Sequence, residues 1–420
     1  MKISLQNILR KKEIVVFVLF MLTNFGFAQS KTKIEIGTID SVFSKVLNEN
    51  RKIWIHLPRS AQKTGFAKQK YPVVYLLDGD AHFTSTVGII EQLSEINGNT
   101  NCPEMIVVGI TNTNRNRDLT PTHSDIDLPF VPKNLSEQSG GGENFAVFLE
   151  KELIPYIDNK YPTAPYKILI GHSFGGLTAL NILTNHTRLF NSYVAIDPSM
   201  WWDHQNFLAV TTKKLETKNL SNISLFMAAA NTMDENMNIV KVRRDTTVFT
   251  RHIRSILDFN DFLNKNKKGN LNYDYKYYND DNHGSVPLIA TYDAIRFIFK
   301  FNQLKLSIPE QINFNKTVFT KIEKHFTEVS KHLGYTVSVP ESMVNTYAYQ
   351  SLGKKDMELA GYLFKLNVAN YSQSPNVYDS LGDFYTANGE KENAISNYKK
   401  VLVLDKDFPE TKEKIDRLLK

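Results

Sequence analysis

An α/β fold with a mostly parallel sheet, followed by an all-α region, is what the sequence predicts. Three observations lead there. From about Ile34 to Leu304, short apolar runs recur without polar alternation, the pattern of strands buried on both faces. Helical patterns separate these runs, which implies βαβ units. Beyond Pro340 the strand-like runs stop, and a helical pattern with a 34-residue period takes over.

The strand candidates follow in order. Val73-Val74-Tyr75-Leu76-Leu77 ends at Asp78-Gly79, and Met105 to Ile110 is the next run. Lys167 to Ile170, Tyr193 to Ile196, Ile223 to Ala230 and Tyr273 to Tyr278 complete the series. Their β-branched and aromatic content suits strands. Lys33 to Pro58, with Trp54-Ile55-His56-Leu57, alternates more and reads as antiparallel edge strands. Asn144 to Asp158 and Gly176 to Asn185 carry the intervening helical pattern.

The chain divides into residues 1–28, 29–305, a linker 306–340 with a helix around Val318 to Leu333, and 341–420. The first 28 residues start with Lys2, Arg10, Lys11 and Lys12, continue as an apolar run from Ile14 to Leu22, and end in Gly26-Phe27-Ala28. A basic start, a short apolar run and small residues at −3 and −1 make an export signal cleaved near Ala28. The run is short of the roughly 20 residues that a membrane span needs. A periplasmic or secreted protein without a stable membrane span is expected. The net charge of +6 falls to +3 without this segment, which holds four Lys/Arg and one Glu. That is too mild and too evenly spread for nucleic acid. Cys102 is the only cysteine, so an exported chain has no internal disulfide and rests on its core.

In the C-terminal region Val344, Tyr347, Ala348, Ser351, Ala360 and Phe364 recur as Tyr378, Leu381, Gly382, Tyr385, Ala394 and Tyr398. This is the tetratricopeptide pattern, in which small residues sit at helix crossings and aromatics fill the holes. Such repeats are a docking device for a protein partner.

The chemistry centres on Gly171-His172-Ser173-Phe174-Gly175. An apolar strand runs into it and a helical pattern starts at once, as a nucleophile elbow requires. That context makes the α/β-hydrolase fold the specific expectation, with Ser173 as nucleophile. A serine hydroxyl needs a base, and the chain order in this fold is Ser, acid, His. Of the downstream histidines, His186 and His204 come too early, and His325 and His332 fall in the linker. His252 lies inside a helical pattern and reads as structural. His283 follows the last strand in a polar loop and is the expected base. The acid is expected after the Ile223 to Ala230 strand: Asp234 first, with Glu235 and Asp245 as alternatives. The oxyanion needs two N–H donors, expected from the backbone of Phe174 and Asp80. Arg115 and Arg117 are candidates for an anionic substrate group, and Trp201 and Trp202 for an acyl pocket wall. No residue set calls for a cofactor or a metal.

Several separate segments also resemble one family. They are Tyr75-Leu76-Leu77-Asp78-Gly79, Arg117 to Thr122, Gly140-Gly141-Gly142, Glu152-Leu153-Ile154-Pro155, the elbow, Asp197-Pro198-Ser199-Met200-Trp201-Trp202, and Asp281 to Val286. Across about Ile34 to Phe301 the chain resembles the esterase-D-like esterases, which include enterochelin esterase and related siderophore hydrolases. The resemblance implies a small-molecule ester substrate, with Ser173 and His283 as nucleophile and base. The acid does not carry over cleanly, which leaves a Ser–His pair without an acid open. A non-catalytic binding scaffold is the contrasting reading, and the presence of both Ser173 and His283 argues against it.

Overall fold

The computed structural model describes residues 33–62, 69–125, 134–266 and 270–420. The expected export signal at 1–28 lies outside the described residues. Gly37–Lys420 forms one compact unit.

Its centre is an eight-stranded sheet: β1 (Thr38–Ser44), β2 (Glu49–His56), β3 (Tyr71–Leu76), β4 (Ile106–Ile110), β5 (Thr163–His172), β6 (Ser192–Ile196), β7 (Ser224–Ala230) and β8 (Asn272–Tyr278). The order across the sheet is β1-β2-β4-β3-β5-β6-β7-β8. β1 with β2 and β2 with β4 are antiparallel, and the other five pairings are parallel. The unalternating apolar runs have a simple cause. Val73, Tyr75 and Leu77 enter the core on one face, while Val74 and Leu76 enter the core on the other. Leu225, Met227 and Ala229 alternate with Phe226, Ala228 and Ala230 in the same way. These strand side chains are apolar because both faces are covered.

Helices supply the cover. On one face lie α1 (Gly79–Ser94), α5 (Val286–Ile298) and the end of α6 (Lys316–Leu333), through Phe83, Val87, Ala290, Ile295, Val329 and Leu333. On the other lie α2 (Phe174–Asn185), α3 (Asn206–Leu215) and α4 (Arg251–Lys265), through Leu177, Leu180, Phe207, Ile256 and Phe259. α6 shows why such segments start and stop where they do. The Asn315 side chain accepts from Val318 N, and Gly334 closes the helix at φ 75°, a left-handed cap that glycine adopts without a Cβ penalty.

After α6 come α7 (Glu341–Gly353), α8 (Met357–Asn370), α9 (Pro375–Ala387), α10 (Lys391–Leu404) and α11 (Thr411–Leu419). The starts of α7 and α9, and of α8 and α10, stand 34 residues apart. Ala348, Ala360, Phe364, Leu381, Ala394 and Tyr398 are buried between these helices. A Cβ on Gly382 would lie 2.4 Å from the Tyr398 ring, so the small residue is what lets α9 and α10 cross. Among the described residues, no helix is long and apolar enough to cross a membrane.

Candidate active site

The strand order reverses between β3 and β5, which places their carboxyl ends side by side: Leu77 N–H donates to Ile170 O at 2.9 Å. Such switch points are where open α/β sheets bind ligands. Three non-glycine residues take positive φ just beyond adjacent strands: Asp78 after β3 (52°), Ser173 after β5 (60°) and Asp197 after β6 (42°). Backbone held in this sparsely populated region costs roughly 1–3 kcal/mol per residue and clusters at functional sites. At Ser173 the turn is sharp enough that a Cβ on Gly171 would lie 2.2 Å from Gly175 O. Only glycine permits that approach, so the motif spacing is a steric demand of the elbow.

The elbow presents Ser173 Oγ to His283 Nε2 at 3.1 Å, and His283 Nδ1 lies 2.5 Å from Asp197 Oδ2. Asp197 is fully buried. Burial alone would push its carboxyl up, but His252 and then His283 outweigh it and hold the group well below the usual carboxylate range. An ionised carboxylate only accepts, so His283 Nδ1 carries the proton and Nε2 is left as acceptor for the serine hydroxyl. That is the tautomer a general base needs. Asp197 Oδ1 accepts from Ala230 N at 2.9 Å, and Oδ2 also accepts from His252 Nε2 at 2.9 Å. Ser199 Oγ lies 3.4 Å from Ser173 Oγ, and Ser199 is itself buried.

The acid position therefore differs from the expectation. Asp197, beyond β6, contacts His283, and Asp234, beyond β7, does not. Asp234 and Glu235 are exposed, and Asp234 O accepts from Met237 N. Asp245 is committed to the hydroxyls of Thr247 and Thr250, at 2.6 and 2.5 Å. The physical reason is sheet order. β6 is the immediate neighbour of β5, so a side chain at its end needs no long loop to reach the imidazole over Ser173.

The arginines also differ from the expectation. Arg117 is not free for a substrate: it makes two hydrogen bonds to Glu49 (2.6 and 3.2 Å) and one to Asp118 (2.7 Å). Asp118 in turn pairs with the buried Arg51. Arg115 clasps Asp78 through Nε and Nη2 at 2.6 and 3.0 Å, and its guanidinium sits 5.4 Å from the Phe174 ring centroid. Trp202 is core: it is fully buried, meets Phe174 edge-on at 5.3 Å, and its Nε1 donates to Thr122. Trp201 is half-buried beside Phe174, with ring centroids 6.2 Å apart.

Both expected oxyanion donors fall in first helical turns, where N–H groups have no intrahelical acceptor. Phe174 opens α2 and Asp80 is the second residue of α1. His172 packs against His283 with centroids 4.5 Å apart and against His82 at 5.7 Å. Its Nε2 is buried without a hydrogen-bond partner. Burial first, and then the neighbouring His283, push His172 down to about 3.

Asp197, His252 and His283 bring three ligand-type atoms within 4.8 Å of one another. The N-to-O separations of 2.5 and 2.9 Å are hydrogen-bond lengths. Both lengths suit two imidazole N–H donors on one buried carboxylate.

Comparison with known proteins bears on the family of the chain. The Esterase family model, described as "Putative esterase", matches residues 44–248. Ferri-bacillibactin esterase BesA of Bacillus subtilis is 29% identical over 193 residues, 43% of this chain and 66% of its own length. Siderophore enterobactin esterase of Emericella nidulans is 28% identical over 169 residues, 37% of this chain and 56% of its own. The chain thus spans between about half and two thirds of these curated relatives. A solved IroE-like serine hydrolase from Shewanella oneidensis is 31% identical with a TM-score of 0.64, covering 79% of this chain and 98% of that one. With that identity over nearly the whole length of a solved relative, the chain belongs to the esterase family of serine hydrolases.

Proposed function

We propose that the protein hydrolyses carboxylic esters through an acyl-enzyme on Ser173. The observation that carries this reading is the continuous hydrogen-bonded series from Ser173 Oγ through His283 to the buried Asp197. His283 Nε2 takes the serine proton as Oγ attacks the ester carbonyl, and later returns it to the leaving alkoxide. Asp197 holds the tautomer and stabilises the imidazolium. The N–H groups of Phe174 and of the first turn of α1, at Asp80, face the developing oxyanion. Water, deprotonated by the same imidazole, then cleaves the acyl-enzyme.

The names of the relatives, esterases of bacillibactin and enterobactin, favour siderophore-type esters as the substrate class. Trp201 beside Phe174 is the wall an acyl group would meet. The basic and apolar start of the chain favours export. The 34-residue spacing of helix starts favours a tetratricopeptide-like reading of α7 to α10, whose role would be to dock a protein partner.

Pre-steady-state hydrolysis of p-nitrophenyl acetate tests the acyl-enzyme. A burst of p-nitrophenol close to one equivalent of protein is expected, because acylation outruns deacylation for activated esters. Release that is linear from the start, with no acylated Ser173 peptide on acid quench, contradicts the mechanism. A catecholate trilactone assayed in parallel is expected to be cleaved with a higher kcat/KM than the acetate.

A further inference from the structure

We propose that His252 is a positioning residue, a second imidazole that anchors Asp197 independently of the base. This inference rests on the esterase reading and extends it to a residue outside the Ser–His–acid series. His252 Nε2 and His283 Nδ1 donate to the same oxygen, Asp197 Oδ2, at 2.9 and 2.5 Å. Their rings meet edge-on at 5.5 Å.

The two imidazoles differ in what carries them. His283 sits in the irregular segment between β8 and α5, with 43% of its side chain exposed. His252 is the second residue of the fifteen-residue helix α4, with 19% exposed. α4 is pinned to the sheet through Ile256 and Phe259. A fully buried carboxylate must keep its donors, because an uncompensated buried charge is costly. If His283 were its one side-chain donor, each change of that ring's hydrogen bonding during turnover would also release the acid. His252 removes that dependence. With Ala230 N on Oδ1 and His252 on Oδ2, Asp197 stays ionised and oriented whatever His283 is doing. The base can then move a proton against a fixed acceptor, the pre-organisation on which electrostatic catalysis depends.

The test compares His252→Phe, which keeps a ring but removes the donor, with His252→Gln, which restores an N–H donor. The parent and Ser173→Ala are assayed first with a fluorophosphonate probe and p-nitrophenyl acetate. Failure there sinks the esterase reading itself. Given an active parent, His252→Phe is expected to lower kcat about tenfold, equal to about 1.4 kcal/mol, with KM within about twofold of the parent's. His252→Gln is expected to recover kcat to within about threefold of the parent. A merely structural histidine would not give that split and rescue. Parent-like kcat in His252→Phe overturns the proposal, as does a His252→Gln that is no better than His252→Phe. Should His252→Phe not fold, His252→Ala takes its place against His252→Gln.

Discussion

Asp197→Asn is expected to lower kcat by roughly 10³–10⁴-fold, while Asp234→Asn stays within about twofold of the parent. The reasoning is about tautomers. With a carboxylate at Oδ2, His283 must carry its proton on Nδ1, 2.5 Å away, and so Nε2 accepts from Ser173. An amide at position 197 also presents an NH₂ group. When that group faces His283, the ring proton moves to Nε2 and the base can no longer take the serine proton. The same substitution removes the anion that offsets the imidazolium. Asp234 is exposed in the loop beyond β7, and no such consequence attaches to it. Steady-state kinetics of the two variants on one ester decide between the positions. An Asp197→Asn protein within about threefold of the parent would mean that Ser173 and His283 work without an acid.

Acid sensitivity of the fold is the second large effect. His172 is pushed down to about 3, first by burial and then by His283. In the unfolded chain it titrates near the ordinary histidine value of about 6.5. As pH falls below that value, the unfolded chain binds a proton that folded His172 refuses, so stability is lost. The contribution is full above about pH 6.5 and declines by up to about 1.4 kcal/mol per pH unit down to about pH 3. Between pH 6.5 and 4.5 this amounts to roughly 2–3 kcal/mol. His172→Gln does not titrate there. Urea unfolding across that range is expected to show the parent losing stability more steeply than His172→Gln by about that amount. Parallel stability curves would contradict a His172 held neutral in the folded protein.

Much of the architecture was legible because the sheet is covered twice. Double burial makes β3, β4, β6 and β7 continuous apolar runs, and the eye needs no partner strand to find them. The elbow was legible for a steric reason, since Gly171 and Gly175 approach each other across the turn whatever the rest of the chain does. His283 was legible from its loop after the last strand. Asp197 was not, although its segment, Asp197 to Trp202, is conspicuous in the sequence. Its reach to His283 depends on β6 lying next to β5 and on a positive φ at a non-glycine residue, and neither is written locally. His252 was hidden for a related reason. It sits in a helical pattern, and only the tertiary contact of the first turn of α4 with Asp197 gives its ring a role. Arg117 looked available because its partner Glu49 is 68 residues away. Pairing at that separation leaves no mark in a local window.

Ser173 is proposed to be a nucleophile activated by His283 and Asp197. Intact and peptide mass spectrometry after reaction with a fluorophosphonate tests it most directly. One adduct per chain is expected, on the peptide that contains Ser173, formed at least about 10²-fold more slowly in His283→Ala because the general base is gone. An adduct on another residue, or labelling of Ser173 that proceeds as fast without His283, would contradict it.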